Sequence, residues 1–101
     1  MKRQILSFLF LLGVFTMTAQ SGNITGSVSD SNNNDPLPGV NVIVKNSTNG
    51  TNTDFNGNFS IDNVKTGDVL VFSFLGFKTL EYTVSNSFNI SISLDEDVEA
   101  L

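Results

Sequence analysis

The stretch that decides the fold is DPLPGVNVIVKNSTNGTNTDFNGNFSI, residues 35–61. It sets two prolines and three glycines around two short apolar runs, so turn residues and strand residues alternate every few positions. The prolines cannot donate to a β-ladder, which places them before a strand rather than inside one. Asn49-Gly50 and Asn56-Gly57 are typical of tight hairpin turns, because both residue types tolerate positive φ. The stretch therefore predicts a chain that turns back and forth between short strands.

The same alternation continues on both sides of this stretch. Ile24 and Val28 alternate with polar residues as a half-buried strand requires. Residues 69–75 are apolar on both faces, which predicts a strand at the centre of its sheet. The predicted strands cover residues 24–30, 40–45, 51–54, 59–62, 69–75, 77–84 and 88–94.

Seven short strands and no helix after residue 20 predict an all-β fold. Strands with turn signals between them, packed into so short a chain, favour a two-layer antiparallel β-sandwich. A closed barrel is the alternative architecture. A membrane-spanning barrel is disfavoured, because its strands need about 9 to 11 residues each.

The N-terminal residues have the composition of a secretory signal. Lys2 and Arg3 precede an apolar stretch over 5–14, and the small Ala19 stands before Gln20. We predict a cleavable signal peptide over 1–19, cut between Ala19 and Gln20. The alternatives are a buried helix or a membrane anchor, but an anchor needs about 20 apolar residues. The chain is thus predicted to be exported, with one folded domain over 20–94 and an acidic linker over 95–101.

Charge and cysteine content limit the partners of this domain. Without residues 1–19 the chain keeps three lysines against ten carboxylates, a net charge of −7. A surface of that sign repels phosphate backbones and anionic lipid, which argues against nucleic acid and against charge-driven membrane binding. Cysteine is absent, so a small exported domain must be held together by a well-filled core and not by disulfides. Six of the nine phenylalanines lie after residue 20 and are available to fill that core.

The sequence offers no recognisable catalytic constellation. It holds no histidine and no cysteine, which removes the commonest general base, a common nucleophile and the commonest zinc ligands. Serines and lysines are present without a spacing that would pair them. We therefore expect no catalytic residue, no cofactor and no metal site, and the protein is predicted not to be an enzyme.

One segment allows a second interpretation as a calcium loop. Residues 52–63 place Asp54, Asn56 and Gly57 at its third, fifth and sixth positions. Asn52 and Asn63 stand at the first and twelfth positions, where an aspartate and a bidentate glutamate belong. A β-turn at Asn56-Gly57 is therefore the favoured interpretation.

A second segment, GDVLVFSFLGF at 67–77, could form a ligand cleft or a patch for a partner. A domain this small needs most of its phenylalanines in the core, so we favour a core role for this segment.

The order of three motifs carries a resemblance to a known family. PLPGV at 36–40 is followed by the GT-x-TD-x-x-G-x-F-x-I pattern at 50–61 and by FSFLGF at 72–77. From about residue 23 to its end, the chain resembles the carboxypeptidase regulatory-like domain found at the N-terminus of SusC/RagA-type TonB-dependent outer-membrane transporters of Bacteroidetes. The resemblance implies a seven-stranded, transthyretin-like sandwich and no peptidase chemistry.

The resemblance also implies a location and a set of partners. The domain would lie on the periplasmic side of the outer membrane, before the plug and barrel of a nutrient importer, and would meet the membrane only through that barrel. Its partners would be the plug and barrel, or a periplasmic energy-transducing or signalling protein. This chain stops at LDEDVEAL, about where a TonB-interacting segment would begin, so we expect a fragment, a truncated product or a stand-alone copy.

A secreted carbohydrate-binding or adhesive β-sandwich is the competing hypothesis. Such a module needs an exposed aromatic platform, and the sequence has no tryptophan and only Tyr82 as a tyrosine. The imported substrate and the oligomeric state are not encoded in any motif.

Overall fold

The chain folds into two facing β-sheets. A computed structural model describes residues 21–100. Its elements are β1 Gly22–Asp30, β2 Asn41–Val44, β3 Gly50–Asn52, β4 Asn58–Val64, β5 Val69–Ser73, β6 Leu80–Thr83, β7 Asn89–Leu94 and a 3-10 helix at Val98–Ala100. The first sheet has the strand order β4-β1-β7 and the second has the order β3-β2-β5-β6. The predicted all-β sandwich of seven strands is confirmed, and the signal peptide predicted over 1–19, with its cleavage between Ala19 and Gln20, lies outside the described residues.

Alternating side chains from both sheets fill the space between them. In β7 every second residue is buried, and β5 lies between β2 and β6 as its doubly apolar sequence predicts. Phe72 of β5 is fully buried and meets Phe59 of β4 edge to face, with ring centroids 5.6 Å apart. That contact joins the two sheets, because β4 and β5 belong to different layers. The buried set is Ile24, Val28, Val40, Val42, Val44, Phe59, Ile61, Val64, Leu70, Phe72, Val84, Ile90, Ile92 and Leu94.

One pair of neighbouring strands is parallel in a sandwich that is otherwise antiparallel. β1 pairs with β7 in parallel from Thr25 opposite Asn89 to Asp30 opposite Leu94, whereas every other strand pair is antiparallel. Parallel neighbours need a long connection, and β1 and β7 have five strands between them in the chain. The first and last strands thus lie side by side.

Gly26 of β1 lies tightly against the backbone of β7 and the ring of Phe59. A Cβ atom at this position would lie 2.4 Å from the carbonyl oxygen of Ile90 and 2.9 Å from the ring of Phe59. Glycine is therefore required here by the approach of backbone and ring, not by an unusual backbone angle.

The predicted turn at Asn56-Gly57 is present, but it does not join a hairpin. β3 pairs only with β2 and β4 pairs only with β1, so the chain changes sheets between them. The Oδ1 atom of Asp54 accepts the backbone N–H groups of Asn56 and Asn58, each at 2.9 Å. Gly57 has φ +80°, a left-handed conformation that suits glycine. The Asn56-Gly57 turn, which is of the kind found in hairpins, therefore connects a strand of the second sheet to a strand of the first.

The hairpin turn predicted at Asn49-Gly50 is wrong in its position. The left-handed residue between β2 and β3 is Asn46, with φ 65°, and Gly50 is already the first residue of β3. The hairpin itself is present, because β2 and β3 pair as antiparallel neighbours.

Candidate interaction surface

The strand directions divide the sandwich into two ends. β1, β3, β5 and β7 finish at the same end, where β2, β4 and β6 begin. We call this the exit end, since the chain leaves β7 there; it comprises the segments 31–40, 53–57, 74–79 and 95–100. The opposite end comprises residue 21 and the segments 45–49, 65–68 and 84–88. The domain therefore receives the chain at one end and releases it at the other, about 25 Å apart by the rise of a strand the length of β1.

The acidic segment after β7 is hydrogen-bonded to the loop between β5 and β6. The N–H of Lys78 donates to the carbonyl of Asp95 at 2.8 Å, and the N–H of Asp97 donates to the carbonyl of Gly76 at 2.9 Å. Phe77 and Glu96 stand opposite each other in this short antiparallel bridge. The first part of the segment predicted as an acidic linker thus continues the sandwich, with its side chains exposed or half-exposed.

The FSFLGF segment supplies both core and surface. Phe72 is buried, whereas Phe74 and Phe77 are half-buried against the core with ring centroids 5.8 Å apart. Leu75, between them, is 93% exposed. The favoured core role holds for the phenylalanines, and the leucine at the tip of the loop belongs to the surface.

β7 presents one free edge. The carbonyls of Phe88 and Leu94 accept hydrogen bonds from the N–H groups of Thr25 and of Ser31, directly after β1. Backbone N–H and C=O groups point to alternate sides along a strand, so those of Ser91 and Ser93 point away from β1. No strand among residues 21–100 pairs with that edge, and β7 has no proline, lysine or bulge to protect it.

The other edge of the first sheet is partly covered. β3 and β4 lie together at that side, and the side-chain amide of Asn49 donates to the carbonyl of Asp62 in β4 at 2.7 Å. The edge of β7 is therefore the more accessible edge of the first sheet for an added strand.

Carboxylates do not gather into a metal-binding cluster in the described part of the chain, and its surface has one notable depression in the first sheet. Within 21–100 no three His, Cys, Asp or Glu residues lie where they could hold a metal ion. A surface depression of about 370 Å³ above Gly26 is lined by Thr, Ser, Asn, Phe and Ile and by no ionisable group. No helix in this part of the chain is long and apolar enough to cross a membrane.

The segment considered as a calcium loop adopts another structure. Its second half is β4, in which Phe59 and Ile61 are buried. The carboxylate of Asp54 is occupied by backbone N–H groups of the turn. This conformation matches the favoured β-turn.

The competing carbohydrate-binding hypothesis depended on an exposed aromatic platform. Tyr82 lies in β6, is half-buried and packs against the core.

Fold and surface together define a β-sandwich module whose accessible features are a strand edge and an end built from loops. Comparison with known proteins identifies the family. The profile of the CarboxypepD_reg-like domain matches residues 24–101, and the chain belongs to that family.

The relatives similar in sequence are TonB-dependent receptors. The chain is 40% identical over 101 residues to TonB-dependent receptor P3 of Formosa agariphila, a match that covers all of this chain and 10% of the receptor. It is 36% identical over 93 residues to TonB-dependent receptor SusC of Bacteroides thetaiotaomicron, covering 89% of this chain and 9% of the receptor. The chain therefore spans about a tenth of the length of these relatives, and the resemblance seen in the motifs is confirmed.

Two solved structures share the fold at low sequence identity. A cohesin–X-dockerin complex from Acetivibrio cellulolyticus matches with a TM-score of 0.55 at 22% identity, covering 71% of this chain and 51% of that one. A streptococcal ancillary pilin matches with a TM-score of 0.51 at 14% identity, covering 78% of this chain and 30% of that one. These similarities concern the sandwich alone.

Proposed function

We propose that this domain is a non-catalytic accessory module of a TonB-dependent outer-membrane transporter and that it works through protein contacts. The observation that carries the proposal is the match of the whole chain to about a tenth of the length of TonB-dependent receptors. The domain would precede the rest of the transporter on the periplasmic side. Export would use the segment over 1–19, with cleavage between Ala19 and Gln20, and residues 95–101 would lead toward the next part of the transporter.

The described chain ends lie at opposite ends of the sandwich, so the next part of the transporter would follow the exit end. The chain enters β1 at one end of the sandwich and leaves β7 at the other. Once residues 1–19 are removed, a domain of this kind would hold its N-terminal end about 25 Å from the part of the transporter that follows β7. The hydrogen bonds of Asp95 and Asp97 to the β5–β6 loop fix the direction in which the chain departs.

The free edge of β7 gives the domain a second mode of action. An extended segment of a periplasmic partner can add to an exposed strand through backbone hydrogen bonds alone. Energy-transducing and signalling proteins are the partners to which this mode would apply.

Deleting residues 21–94 from an intact transporter tests the proposed function. We expect either less transporter in the outer membrane or slower uptake of its nutrient at equal abundance. Abundance and uptake must be measured in the same cells, because they separate a stabilising role from a role in transport. Uptake and abundance both equal to wild type would refute the proposal.

The substitution Ser91→Pro separates the two modes of action. Proline removes an N–H group that points away from β1, so β7 keeps its pairing while its free edge loses a donor. Asn52→Pro in β3, an edge strand of the second sheet, is the control for proline at an edge, because the hydrogen bonds of Thr53 to Val40 and of Val44 to Asn49 leave the N–H of Asn52 pointing away from β2. If strand addition operates, Ser91→Pro reduces uptake at normal abundance and Asn52→Pro does not. Normal uptake with Ser91→Pro would leave the spacing role as the mode of action.

A further inference from the structure

Exposed apolar residues are concentrated at the exit end of the sandwich. Three large hydrophobic side chains among the described residues are exposed: Phe55 by 87%, Leu75 by 93% and Val98 by 70%. Phe55 lies in the turn between β3 and β4, Leu75 in the loop between β5 and β6, and Val98 after β7. All three segments belong to the exit end. The loops of the opposite end carry only polar and small residues at their exposed positions.

The hydrogen bonds of the C-terminal segment place the backbones beside two of these residues close together. Asp97, next to Val98 in the chain, donates its N–H to the carbonyl of Gly76, next to Leu75. The two aliphatic side chains therefore start from adjacent backbone positions. The half-buried pair of Phe74 and Phe77 flanks Leu75 in the chain and packs against the core.

The same end carries most of the negative charge. Of the ten carboxylates, seven lie on its segments or at the strand end that borders them, with Lys78 as its one cation in the described chain. The remaining lysines, Lys45 and Lys65, lie away from this end, and Lys45 pairs with Glu81 at 3.2 Å. Asp30 is buried, and the six carboxylates that reach the surface are Asp35, Asp54, Asp95, Glu96, Asp97 and Glu99.

We propose that the exit end is a docking surface for a polypeptide segment in which lysine or arginine side chains are interspersed with aliphatic ones. Aliphatic side chains of the segment would cover Leu75 and Val98, and its cations would face the surrounding carboxylates. This inference rests on the proposed function, since it names the surface and the partner chemistry through which the module would make its contact.

Charge selects this occupant over two others. A second copy of the chain would bring a second acidic end against the first, and like charges across an interface oppose association. An anionic membrane surface is repelled by the same carboxylates. A cationic segment gains attraction from them and covers apolar side chains that residues 21–100 leave exposed.

The test is a titration of the ¹⁵N-labelled chain with a synthetic seven-residue peptide of alternating lysine and leucine, followed by amide chemical shifts. We expect the shifts to be confined to 53–57, 74–79 and 95–100. A peptide with glutamate in place of lysine, and one with asparagine in place of leucine, are the matched probes. Both are expected to leave the amide shifts unchanged at the same concentration.

Variants of the chain locate the contact. The double change Leu75→Ser and Val98→Ser is expected to weaken binding at least about tenfold, the loss expected for one well-buried aliphatic contact. Both residues are exposed, so the fold is expected to remain intact. Glu96→Gln with Glu99→Gln is expected to weaken binding and its salt dependence, whereas Glu81→Gln, which removes a carboxylate away from the exit end, is expected to change neither.

Several results would overturn this inference. They are an absence of binding, shifts scattered over both ends, or an equal effect of Glu81→Gln. Binding of phosphatidylglycerol vesicles through Leu75 and Val98, or self-association through them in sedimentation, would assign the surface to another occupant. A failed titration alongside impaired uptake after deletion of 21–94 would reject this surface while the proposed function stands.

Discussion

Gly26→Ala adds one methyl group where β1 lies against the backbone of β7 and the ring of Phe59. The new Cβ would lie 2.4 Å from the carbonyl oxygen of Ile90 and 2.9 Å from two ring carbons of Phe59, whereas ordinary contacts begin near 3.4 Å. The ring can turn, but the carbonyl belongs to β7, so relief requires the two strands to separate by about 1 Å. Overpacking of this kind costs about 1–3 kcal/mol, and the upper part of that range applies when backbone must move.

An opposing effect has to be subtracted. Alanine restricts the unfolded chain more than glycine does, which stabilises a protein by about 0.4–1 kcal/mol where the native backbone tolerates it. The net expected loss is therefore about 2 kcal/mol in the free energy of unfolding. For a domain of this size that corresponds to a fall in Tm of about 8–16 °C.

The measurement is urea and thermal unfolding of the chain followed by far-ultraviolet circular dichroism, because the protein has no tryptophan and one tyrosine. Gly22→Ala in the same strand is the matched control. Its Cβ would meet only the ring of Phe88, at 3.1 Å, and that side chain can move. We expect a change within about 0.5 kcal/mol for the control. Equal stability of Gly26→Ala and wild type would refute the claim that the β1–β7 contact requires glycine.

Three further substitutions test the core and the surface by the same unfolding measurement. Phe72→Ala is expected to cost about 3–5 kcal/mol, since it removes a fully buried ring that joins the sheets; a loss below 1 kcal/mol would contradict that role. Thr53→Val is expected to cost about 1–3 kcal/mol, because the buried N–H of Val40 loses the hydroxyl that accepts it at 2.8 Å; unchanged stability would mean that water replaces the hydroxyl. Lys45→Met is expected to change stability by less than about 1 kcal/mol, because its ion pair with Glu81 is half exposed; a larger loss would show that the pair holds the second sheet together.

The faces of the strands could be predicted from the sequence, because alternation in polarity reports directly on which side chains meet water. Val42, Phe72 and Ile90 are buried as their patterns require. The central place of β5 follows from the same reasoning. Its outward residues Val69 and Val71 are half-buried on the outer face of the sheet rather than exposed to water.

The pairing of the strands could not be predicted in the same way. Alternation with a period of two shows on which face of the sheet a side chain lies, but it does not show which strands are hydrogen-bonded neighbours. The parallel pairing of β1 with β7 therefore cannot be predicted from the residues of either strand. Asn56-Gly57 indicates a turn whether the next strand returns to the same sheet or crosses to the other one. The attachment of residues 95–97 to the β5–β6 loop escaped prediction because backbone groups make it, and backbone hydrogen bonds leave no pattern of residue types in the sequence.

The adjacency of the first and last strands has a mechanical consequence. Tension applied between the beginning of β1 and the end of β7 runs along both strands, since they are parallel neighbours. It loads the pairs from Thr25–Asn89 to Asp30–Leu94 simultaneously in shear. A hairpin pulled at its open end would instead release its bonds one after another. We therefore expect the sandwich to resist stretching along its axis far better than peeling of β7 from its free edge.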